Sequence, residues 1–372
     1  MKRTISIIAS LIILSSLVAC NDFSPITELK AVSNGHFTSE QSNYLKSENY
    51  ADITPYNGNM SMSKPLPVSL SWKAGKGQYH ITLTGSSSGD NATYDIKNKQ
   101  LEFYNPIIGE TYEASLAYRH YNEVVSFKEE VTVPGPRNIY LDGVENVRDI
   151  GGWGKFVDSK YQTYMKQGFL YRSGRFNEDK AEEVKVTITN EGLDEIKCHL
   201  KFKTEVDLRK TSTNEVGGLT RKSVLGDDVK YVQLPMAYNG NNILTFKGKV
   251  SGDTYEYDNP SMIKQFFELL ANKDNYPINY HCSIGKDRTG CLSYLIEGLM
   301  GFDQETMYRD YMFTNFADAG LCKLTDVTER YGKTINEYEN GVTLQEKVYN
   351  YLNEVIGVSK ENLDNIITIL KA

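Results

Sequence analysis

Between residues 65 and 133, apolar and polar residues alternate in short runs. The alternating apolar positions are Val68, Leu70 and Trp72, then Tyr79, Ile81 and Leu83, then Leu101 and Phe103, and finally Tyr112, Ala114, Leu116 and Tyr118. A period of two places such side chains on one face of a strand. Turn-forming residues such as Gly-Ser-Ser-Ser-Gly-Asp at 85–90 separate the runs. This pattern predicts a small all-β sandwich over residues 61–134.

After residue 138, strand-like and helix-like segments alternate to the end of the chain. Tyr231–Leu234 fits a strand, whereas Ser261–Leu270 and Phe302–Asn315 have apolar residues at helical spacing. Ser359 is a suitable N-cap for a last helix, Lys360–Leu370. The Pro-Gly-Pro run at 134–136 is the best candidate for a domain boundary. The class predicted for 138–372 is therefore α/β, with a central, mainly parallel sheet flanked by helices.

The first twenty residues have the pattern of an export signal. Lys2 and Arg3 precede a short apolar run, Ile5–Leu17, which is shorter than the roughly twenty residues that a spanning helix needs. The run ends in Leu17–Cys20 (Leu-Val-Ala-Cys), which resembles a bacterial lipobox. This predicts a signal peptide over 1–19, lipidation of Cys20 and anchoring of the exported protein to a membrane face. The alternative is an ordinary secretory signal in which Cys20 has no role.

The segments between the anchor and the predicted α/β domain show no evident chemistry. Residues 20–60 are polar and aperiodic, which is typical of a tether. In the predicted sandwich, the order of Trp72, Tyr79 and the stretch 106–112 loosely resembles a fibronectin type III module. We interpret the sandwich as a spacer that holds the α/β domain away from the membrane, with a specific binding module as the alternative.

Charge and cysteine content exclude several classes of protein. The 372 residues carry 41 Lys plus Arg against 48 Asp plus Glu, a formal charge of −7, whereas a nucleic-acid binder should be basic. An anionic substrate remains compatible, because diffuse charge is screened over about 8 Å in physiological salt. Five cysteines, one of them in the lipobox, are too few for a disulfide framework. No spacing of Cys and His indicates a metal site, and we expect no cofactor.

The segment 276–301 is the strongest candidate for a functional site. Tyr276–Tyr280 fits a short buried strand, and an apolar helical pattern begins near Cys291. A tight loop between a strand and a helix turns backbone N–H groups inward above the positive end of the helix dipole, which favours an anion. Cys282 begins this loop, where the helix dipole and the Arg288 guanidinium stabilise a thiolate. Arg288 can bind two phosphate oxygens at once.

The string from His281 to Gly290, His-Cys-x-x-Gly-Lys-Asp-Arg-Thr-Gly, resembles the phosphate-binding signature of the cysteine-dependent protein tyrosine phosphatase superfamily. It is most similar to the bacterial branch that includes secreted tyrosine and lipid phosphatases. Cys-x5-Arg alone is a weak signal, but His281, Gly285 and the Arg-Thr-Gly ending make the whole string specific. The bland alternative is an inert cysteine in a strand-to-helix turn.

The resemblance implies metal-free, two-step hydrolysis of a phosphomonoester. Cys282 would attack phosphorus, Arg288 would bind the phosphate, and Asp287 would protonate the leaving group. The expected phosphate-binding residues are Ser283, Ile284, Gly285, Lys286 and Thr289, the last of which can offer its hydroxyl to the sulfur. We expect His281 to hydrogen-bond the loop backbone from below, with an uninvolved core histidine as the alternative.

The identity of the acid is left open between the loop and an upstream segment. Asp287 can be protonated inside the loop, because the negative charge of a neighbouring phosphate raises the pKa of its carboxyl group. Alternatively, Asp287 pairs with Lys286 or Arg288. Asp253 and Asp258 then become the candidates, since neither Trp precedes a Pro-Asp pair in this chain.

Three further stretches resemble motifs of the same branch. They are Asn146–Gly152 (Asn-Val-Arg-Asp-Ile-Gly-Gly), Leu170–Gly174 (Leu-Tyr-Arg-Ser-Gly) and Thr204–Arg209 (Thr-Glu-Val-Asp-Leu-Arg). They extend the resemblance from about residue 140 to the C-terminus. Within them, Arg172 and Arg209 either approach the phosphate or form ordinary ion pairs with carboxylates such as Asp149 and Asp207.

The sequence therefore favours an enzyme, a protein-tyrosine-phosphatase type hydrolase without nucleic-acid partners. Its alternative substrates are phosphoinositides or inositol phosphates, which need a wider and more basic pocket than phosphotyrosine. A second class of function is a catalytically idle, phosphate-binding surface lipoprotein in which the sandwich is the working part. The intact Cys282, Arg288 and Thr289 favour the enzyme.

Overall fold

The computed structural model describes residues 24–56, 64–178, 183–210, 215, 220–238, 243–253, 255–317 and 322–372. The signal peptide predicted over 1–19 and the lipidation site predicted at Cys20 lie outside these residues and stay predictions. Within the described ranges, no helix is both long enough and apolar enough to cross a membrane.

Seven strands in the first part of the chain form two antiparallel sheets around one apolar core. They are β1 Thr27–Ser33, β2 Val68–Lys73, β3 Tyr79–Gly85, β4 Asn91–Ile96, β5 Gln100–Phe103, β6 Thr111–Tyr118 and β7 Tyr121–Lys128. One sheet has the order β1-β2-β5 and the other β4-β3-β6-β7. The runs predicted from period two correspond to β2, β3, β5 and β6, and their alternating apolar side chains lie in the core, apart from the half-buried Leu101. Strands β4 and β7 lack such an alternating pattern because few of their residues are buried.

The tether predicted for residues 20–60 is wrong for residues 24–56. Strand β1 pairs antiparallel with β2. Helix α1, Ser39–Lys46, buries Tyr44 and Leu45 in the core of the α/β part. Its last turn is fixed by Arg309, whose Nη1 donates to the Tyr44 carbonyl at 3.3 Å. The segment therefore packs against both halves of the protein instead of linking them loosely.

A six-stranded sheet forms the centre of the α/β part. Its strands are β8 Arg137–Asn138, β9 Arg148–Asp149, β12 Leu170–Ser173, β13 Thr204–Asp207, β14 Lys230–Gln233 and β17 Ile278–His281. The order is β14-β13-β17-β12-β9-β8. Strands β14, β13, β17 and β12 are parallel to one another, and β9 and β8 extend the β12 edge in antiparallel pairs. The sheet is thus mixed, with the parallel set that the alternating pattern predicted. Two separate hairpins are β10 Gly154–Val157 with β11 Lys160–Thr163, and β15 Lys247–Lys249 with β16 Glu256–Asp258.

Helices cover the sheet and supply most of its apolar partners. Besides α1 they are α2 Asn190–Glu195, α3 Asn259–Leu270, α4 Asp287–Leu299, α5 Gln304–Phe313, α6 Leu324–Val327, α7 Lys333–Asn336, α8 Leu344–Tyr351 and α9 Lys360–Leu370. The predicted N-cap of α9 is confirmed, since Ser359 accepts a hydrogen bond from the Asn362 N–H. Helix α4 is buried from Arg288 to Leu299, which makes it the central helix and fixes the loop before it.

The two halves meet through buried polar contacts. His199 lies between two carboxylates, with Nδ1 2.9 Å from Glu195 and Nε2 3.0 Å from Asp90 of the first half. Arg137 crosses the same junction, because its Nη2 donates to the Asn105 carbonyl at 2.6 Å. Buried charges are tolerated only where they are paired, so these contacts fix one arrangement of the two halves.

Candidate active site

The candidate loop follows β17, which lies between β12 and β13 at the middle of the parallel set. His281 is the last residue of β17, and Asp287 is the first of α4. The loop therefore lies at the carboxyl ends of the parallel strands, where open α/β sheets place their ligands. The predicted strand, loop and helix are all present.

The carbonyl groups of this loop are held from outside. Three successive carbonyl oxygens each accept a hydrogen bond from a side chain of another segment. Arg175 Nη1 donates to the Ser283 carbonyl at 3.1 Å, and Asn146 Nδ2 donates to the Ile284 carbonyl at 3.1 Å. Arg172 Nη2 donates to the Gly285 carbonyl at 2.7 Å. The N–H groups of these three loop residues donate to none of the residues that the structure describes. Because successive carbonyls are turned outward, the N–H groups are left as a cradle for an anion.

Gly285 makes this path of the backbone possible. Its φ is +71°, a left-handed conformation that residues with a Cβ rarely adopt. A Cβ there would lie 2.5 Å from the carbonyl oxygen of Ser173. The glycine thus lets the loop approach β12 closely enough for Arg172 to reach its carbonyl.

Cys282 lies at the floor of a cavity and is only 2% exposed. The predicted contact of His281 with the loop backbone is confirmed, since its Nδ1 is 3.1 Å from the Cys282 carbonyl oxygen. On the other side of the ring, Nε2 is 3.0 Å from Oε1 of Glu205. The Thr289 hydroxyl is buried without a hydrogen-bond partner among the described residues, so the hydrogen bond expected to the sulfur is not present here.

Arg288 is oriented by a carboxylate that the sequence did not reveal. Its Nη1 lies 2.8 Å and its Nη2 2.7 Å from the two oxygens of Glu215. Burial opposes the ionisation of Glu215, but attraction to Arg288 outweighs it and lowers the pKa of that carboxyl. Nε of Arg288 is buried and has no hydrogen-bond partner in the described part of the chain. The edge formed by Nε and the adjacent Nη can therefore bind two phosphate oxygens.

Asp287 lines the same cavity and pairs with Arg330, whose Nη1 is 2.5 Å from Oδ1. The alternative pairing with Lys286 or Arg288 is not seen, because Lys286 lies 3.6 Å from Asp326 and Arg288 binds Glu215. Burial raises the pKa of the Asp287 carboxyl above its ordinary value, against the attraction of nearby cations.

The two upstream candidates for the acid lie outside the cavity lining. Asp258 caps α3 and lies 3.2 Å from Lys247. Asp253 accepts a hydrogen bond from the Tyr257 hydroxyl at 2.7 Å. Of the three carboxylates, Asp287 is the one that the structure brings next to Cys282.

The cavity has a volume of about 290 Å³ and a balanced set of charges. It is lined by Lys210, Glu215, Tyr238, Cys282, Ser283, Ile284, Asp287 and Arg288. Two cationic and two anionic side chains face it, and Tyr238 supplies an aromatic ring. Gly285, Lys286 and Thr289, which were expected to bind phosphate, do not line it. A larger cavity of about 580 Å³ lies where the two halves meet and lacks every residue of the loop.

The two arginines left open by the sequence have different positions. Arg209 forms the ion pair with Asp207, 2.6 Å between Nη2 and Oδ2, and does not line the cavity. Arg172 pairs with Asp310 at 2.6 Å and also binds the loop carbonyl of Gly285. Neither arginine reaches into the cavity, and Arg172 acts on the loop from behind.

Several contacts of the site could not be found from the sequence. Asn146 lies in a quoted motif, but its role in holding a loop carbonyl has no local signal. Glu215, Tyr238 and Arg330 come from segments without a motif. Their positions depend on tertiary packing, which a single sequence does not encode in any short pattern.

In the described ranges, no group of three or more His, Cys, Asp or Glu side chains could hold a metal ion. The four described cysteines, Cys198, Cys282, Cys291 and Cys322, are free. Cys291 lies in the apolar core behind the loop.

A family model described as "Tyrosine phosphatase family" matches residues 139–372, more than half of the chain. Among curated proteins, the chain is 32% identical over 78 residues to "Putative tyrosine-protein phosphatase OCA1" of Debaryomyces hansenii. That match covers 19% of this chain and 40% of the relative, so the chain spans less than half the length of this relative.

Two solved structures also resemble parts of the chain. One is the core catalytic domain of the PP-IP phosphatase SIW14 from S. cerevisiae in complex with citrate, with 19% identity, a TM-score of 0.28, and coverage of 46% of this chain and 88% of that one. The other is P. aeruginosa TpbA, with 18% identity and a TM-score of 0.26; the match covers 42% of this chain and 76% of that one.

Proposed function

The chain belongs to the tyrosine phosphatase family, and on that premise we propose that it hydrolyses phosphomonoesters through a phosphocysteine intermediate. The observation that carries this proposal is the loop 283–285, whose carbonyls are fixed outward and whose N–H groups are left without partners among the described residues. A cradle of this kind stabilises the charge of a phosphoryl group in the transition state without reorganisation.

In the first step, the Cys282 sulfur attacks phosphorus as the bond from phosphorus to the leaving oxygen breaks. Asp287 gives its proton to that oxygen, and Arg288 binds two of the phosphoryl oxygens through its unoccupied edge. In the second step, water attacks phosphorus and the thiolate leaves, while the Asp287 carboxylate takes the proton of the water. No metal takes part in this scheme.

We propose phosphotyrosine in proteins as the substrate. The nucleophile lies at the floor of the cavity, so the phosphate must be carried on a group long enough to reach it. Tyr238 is 37% exposed and offers a ring that an aryl group can contact. The alternative, a phosphoinositide or inositol phosphate, carries further charged groups. Of the two cations that line the cavity, Arg288 is neutralised by Glu215 and only Lys210 remains, which disfavours such a ligand.

Phosphate release from phosphotyrosine peptides, phosphoserine peptides, phosphoinositides and inositol phosphates tests the proposal. We expect the phosphotyrosine peptides to be hydrolysed with the highest kcat/KM. Cys282→Ser should abolish turnover, because a serine hydroxyl is not ionised near neutral pH. Cys198→Ser, which replaces a half-buried thiol outside the cavity, is the matched control and should retain activity. Turnover by the Cys282→Ser protein would show that the nucleophile is assigned wrongly. Phosphate binding without any turnover by the wild-type protein would support the idle, phosphate-binding alternative.

We also propose that the protein is exported and anchored through lipid on Cys20. The support is the sequence pattern of residues 1–20 alone. In a bacterial host, Cys20→Ala should move the protein from the membrane fraction to the soluble fraction. An unchanged distribution of the variant would favour an ordinary secretory signal.

A further inference from the structure

The segment after the central helices brings two charged residues against the phosphate loop. Helix α6 and the helical turn Thr328–Gly332 that follows it carry Asp326 and Arg330. Arg330 Nη2 is 3.0 Å from Oδ1 of Asp326, and its Nη1 is 2.5 Å from Oδ1 of Asp287. Lys286 lies 3.6 Å from the other oxygen of Asp326. Two consecutive loop residues are thus tied to one turn of a distant segment.

This four-residue cluster, Lys286–Asp326–Arg330–Asp287, is shielded from water. Its side chains are between 13% and 19% exposed. Exposed ion pairs contribute little because water and salt screen them, but screening weakens as the charges are covered. The cluster is therefore able to hold the Asp287 side chain in one orientation.

The two oxygens of Asp287 have different surroundings. Oδ1 accepts the hydrogen bond from Arg330. Oδ2 makes no hydrogen bond to the residues that the structure describes, and the side chain lines the cavity above Cys282. One oxygen is thus fixed from behind while the other is available to carry a proton toward the leaving group.

Arg330 also contacts the rim of the cavity. Its guanidinium lies 5.0 Å from the centre of the Tyr238 ring, within the range of a cation–π contact. The same guanidinium therefore links Asp287 to an aromatic side chain that lines the cavity. Arg330 itself does not line the cavity.

We propose that Arg330 is a positioning residue that presents Asp287 to the leaving oxygen, and that Asp326 holds Arg330 and offsets its charge. This inference rests on the proposed phosphatase function. Without Asp326, the guanidinium would act on Asp287 uncompensated and favour the carboxylate over the acid form. When Asp326 is present, its negative charge offsets that of Arg330, so the pair orients Asp287 while lowering the proton affinity of its carboxyl only a little.

Several other groups face Asp287 and remain unchanged in the variants below. Besides Asp326 and Arg330, the charged and titratable groups near Asp287 are Lys286 and Arg288 of the loop, Tyr238, Tyr311, Tyr331 and Cys322. Since these are constant, a shift in the pH profile of one variant reports the one charge removed.

The first test is a leaving-group series with Arg330→Gln. For substituted phenyl phosphates with poor, high-pKa leaving groups, we expect kcat to fall about tenfold to a hundredfold, because these need a well-placed acid. For good leaving groups such as p-nitrophenol, the change should be less than about threefold, since they depart without a proton. Arg221→Gln, at an exposed position outside the cavity, is the matched control and should leave the series unchanged.

The second test is the alkaline limb of the pH profile with a poor leaving group. Asp287 must be protonated to act, so activity falls as pH rises through its pKa. Asp326→Asn removes a negative charge and should move this limb to lower pH, whereas Arg330→Gln removes a positive charge and should move it to higher pH. A structural role alone would not shift the limb in opposite directions. If Arg330→Gln does not fold, Arg330→Lys, which keeps the charge, should give an intermediate loss confined to poor leaving groups.

The outcomes separate this inference from the proposed function. Equal loss across the leaving-group series, in a folded Arg330→Gln protein, would overturn the positioning role and leave the Cys282-dependent activity standing. Limbs that move in the same direction in both variants would also overturn it. Absence of Cys282-dependent turnover in the wild-type protein would instead refute the proposed function itself.

Discussion

Gly285→Ala is the sharpest test of the outward-held loop. The substitution puts a Cβ into a residue with φ of +71°, at a cost of roughly 1–2 kcal/mol. It also places that Cβ 2.5 Å from the Ser173 carbonyl oxygen, about 1 Å closer than an ordinary contact. Since β12 is fixed within the sheet, the loop must move. Moving it breaks the charge-assisted hydrogen bond from Arg172 to the loop carbonyl, which costs roughly 1.5–3 kcal/mol.

The total of roughly 2.5–5 kcal/mol falls on the loop itself. Because a misplacement of about 1 Å costs about a hundredfold in rate, we expect kcat to fall at least a hundredfold. Global stability should fall by no more than that local cost. The assay is phosphate release under saturating substrate, with thermal unfolding measured on the same samples.

Gly89→Ala is the matched control for the strain alone. Gly89 has nearly the same φ, +73°, but a Cβ there would meet nothing within 4 Å. This variant should lose stability by the conformational cost only and keep full activity. Wild-type kcat in Gly285→Ala, or an equal loss of kcat in both variants, would refute the reasoning that the loop path creates the anion site.

Three further predictions concern the orientation of Arg288, the junction of the two halves and the metal-free scheme. Glu215→Gln should lower kcat/KM about tenfold in steady-state kinetics, since a neutral amide orients Arg288 less well than a carboxylate; unchanged kinetics would make the ion pair incidental. Burial disfavours a charged His199, but Asp90 and Glu195 outweigh it and raise its pKa to about 9. Its stabilisation is therefore complete below about pH 6.5 and lost as pH rises through about 9, so the Tm should fall over that window in the wild type and less in His199→Gln. EDTA should leave activity unchanged, and loss with rescue by a divalent cation would contradict the metal-free scheme.

The sequence predicted the parts of the site that are local in the chain. Cys282, Asp287 and Arg288 lie within one strand–loop–helix unit, whose geometry follows from an apolar strand, a glycine at a left-handed position and a helix start. The partners that orient these residues are far away in sequence. Glu215 is separated from Arg288 by 73 positions, and Arg330 is separated from Asp287 by 43 positions. Charged residues are common, so nothing local marks which of them will pack against the loop.

The segment 24–56 shows a different limit of pattern analysis. Strand β1 lies at the edge of its sheet and has no fully buried residue; only Leu29 and Ala31 alternate as partly buried apolar residues, which are too few to predict a strand. Helix α1 buries only Gln41, Tyr44 and Leu45, which gives too short an apolar stripe to distinguish it from a polar tether. Its position depends on Arg309 and on the aromatic core that it meets, neither of which is visible in the segment itself.

The arginines around the loop have two physically distinct tasks, and on the proposed function this difference would let an anionic chain bind phosphate. Arg172 and Arg175 lie behind the loop and use their guanidinium groups on its carbonyl oxygens. Neither side chain lines the cavity, so these two arginines act by fixing the backbone. Arg288 keeps its Nε for the ligand because Glu215 occupies only the two terminal nitrogens. A lysine in place of Arg172 could not bind Asp310 and the loop carbonyl with the same fixed geometry. On the proposed function, selectivity for a phosphoryl group therefore depends on buried geometry rather than on net charge.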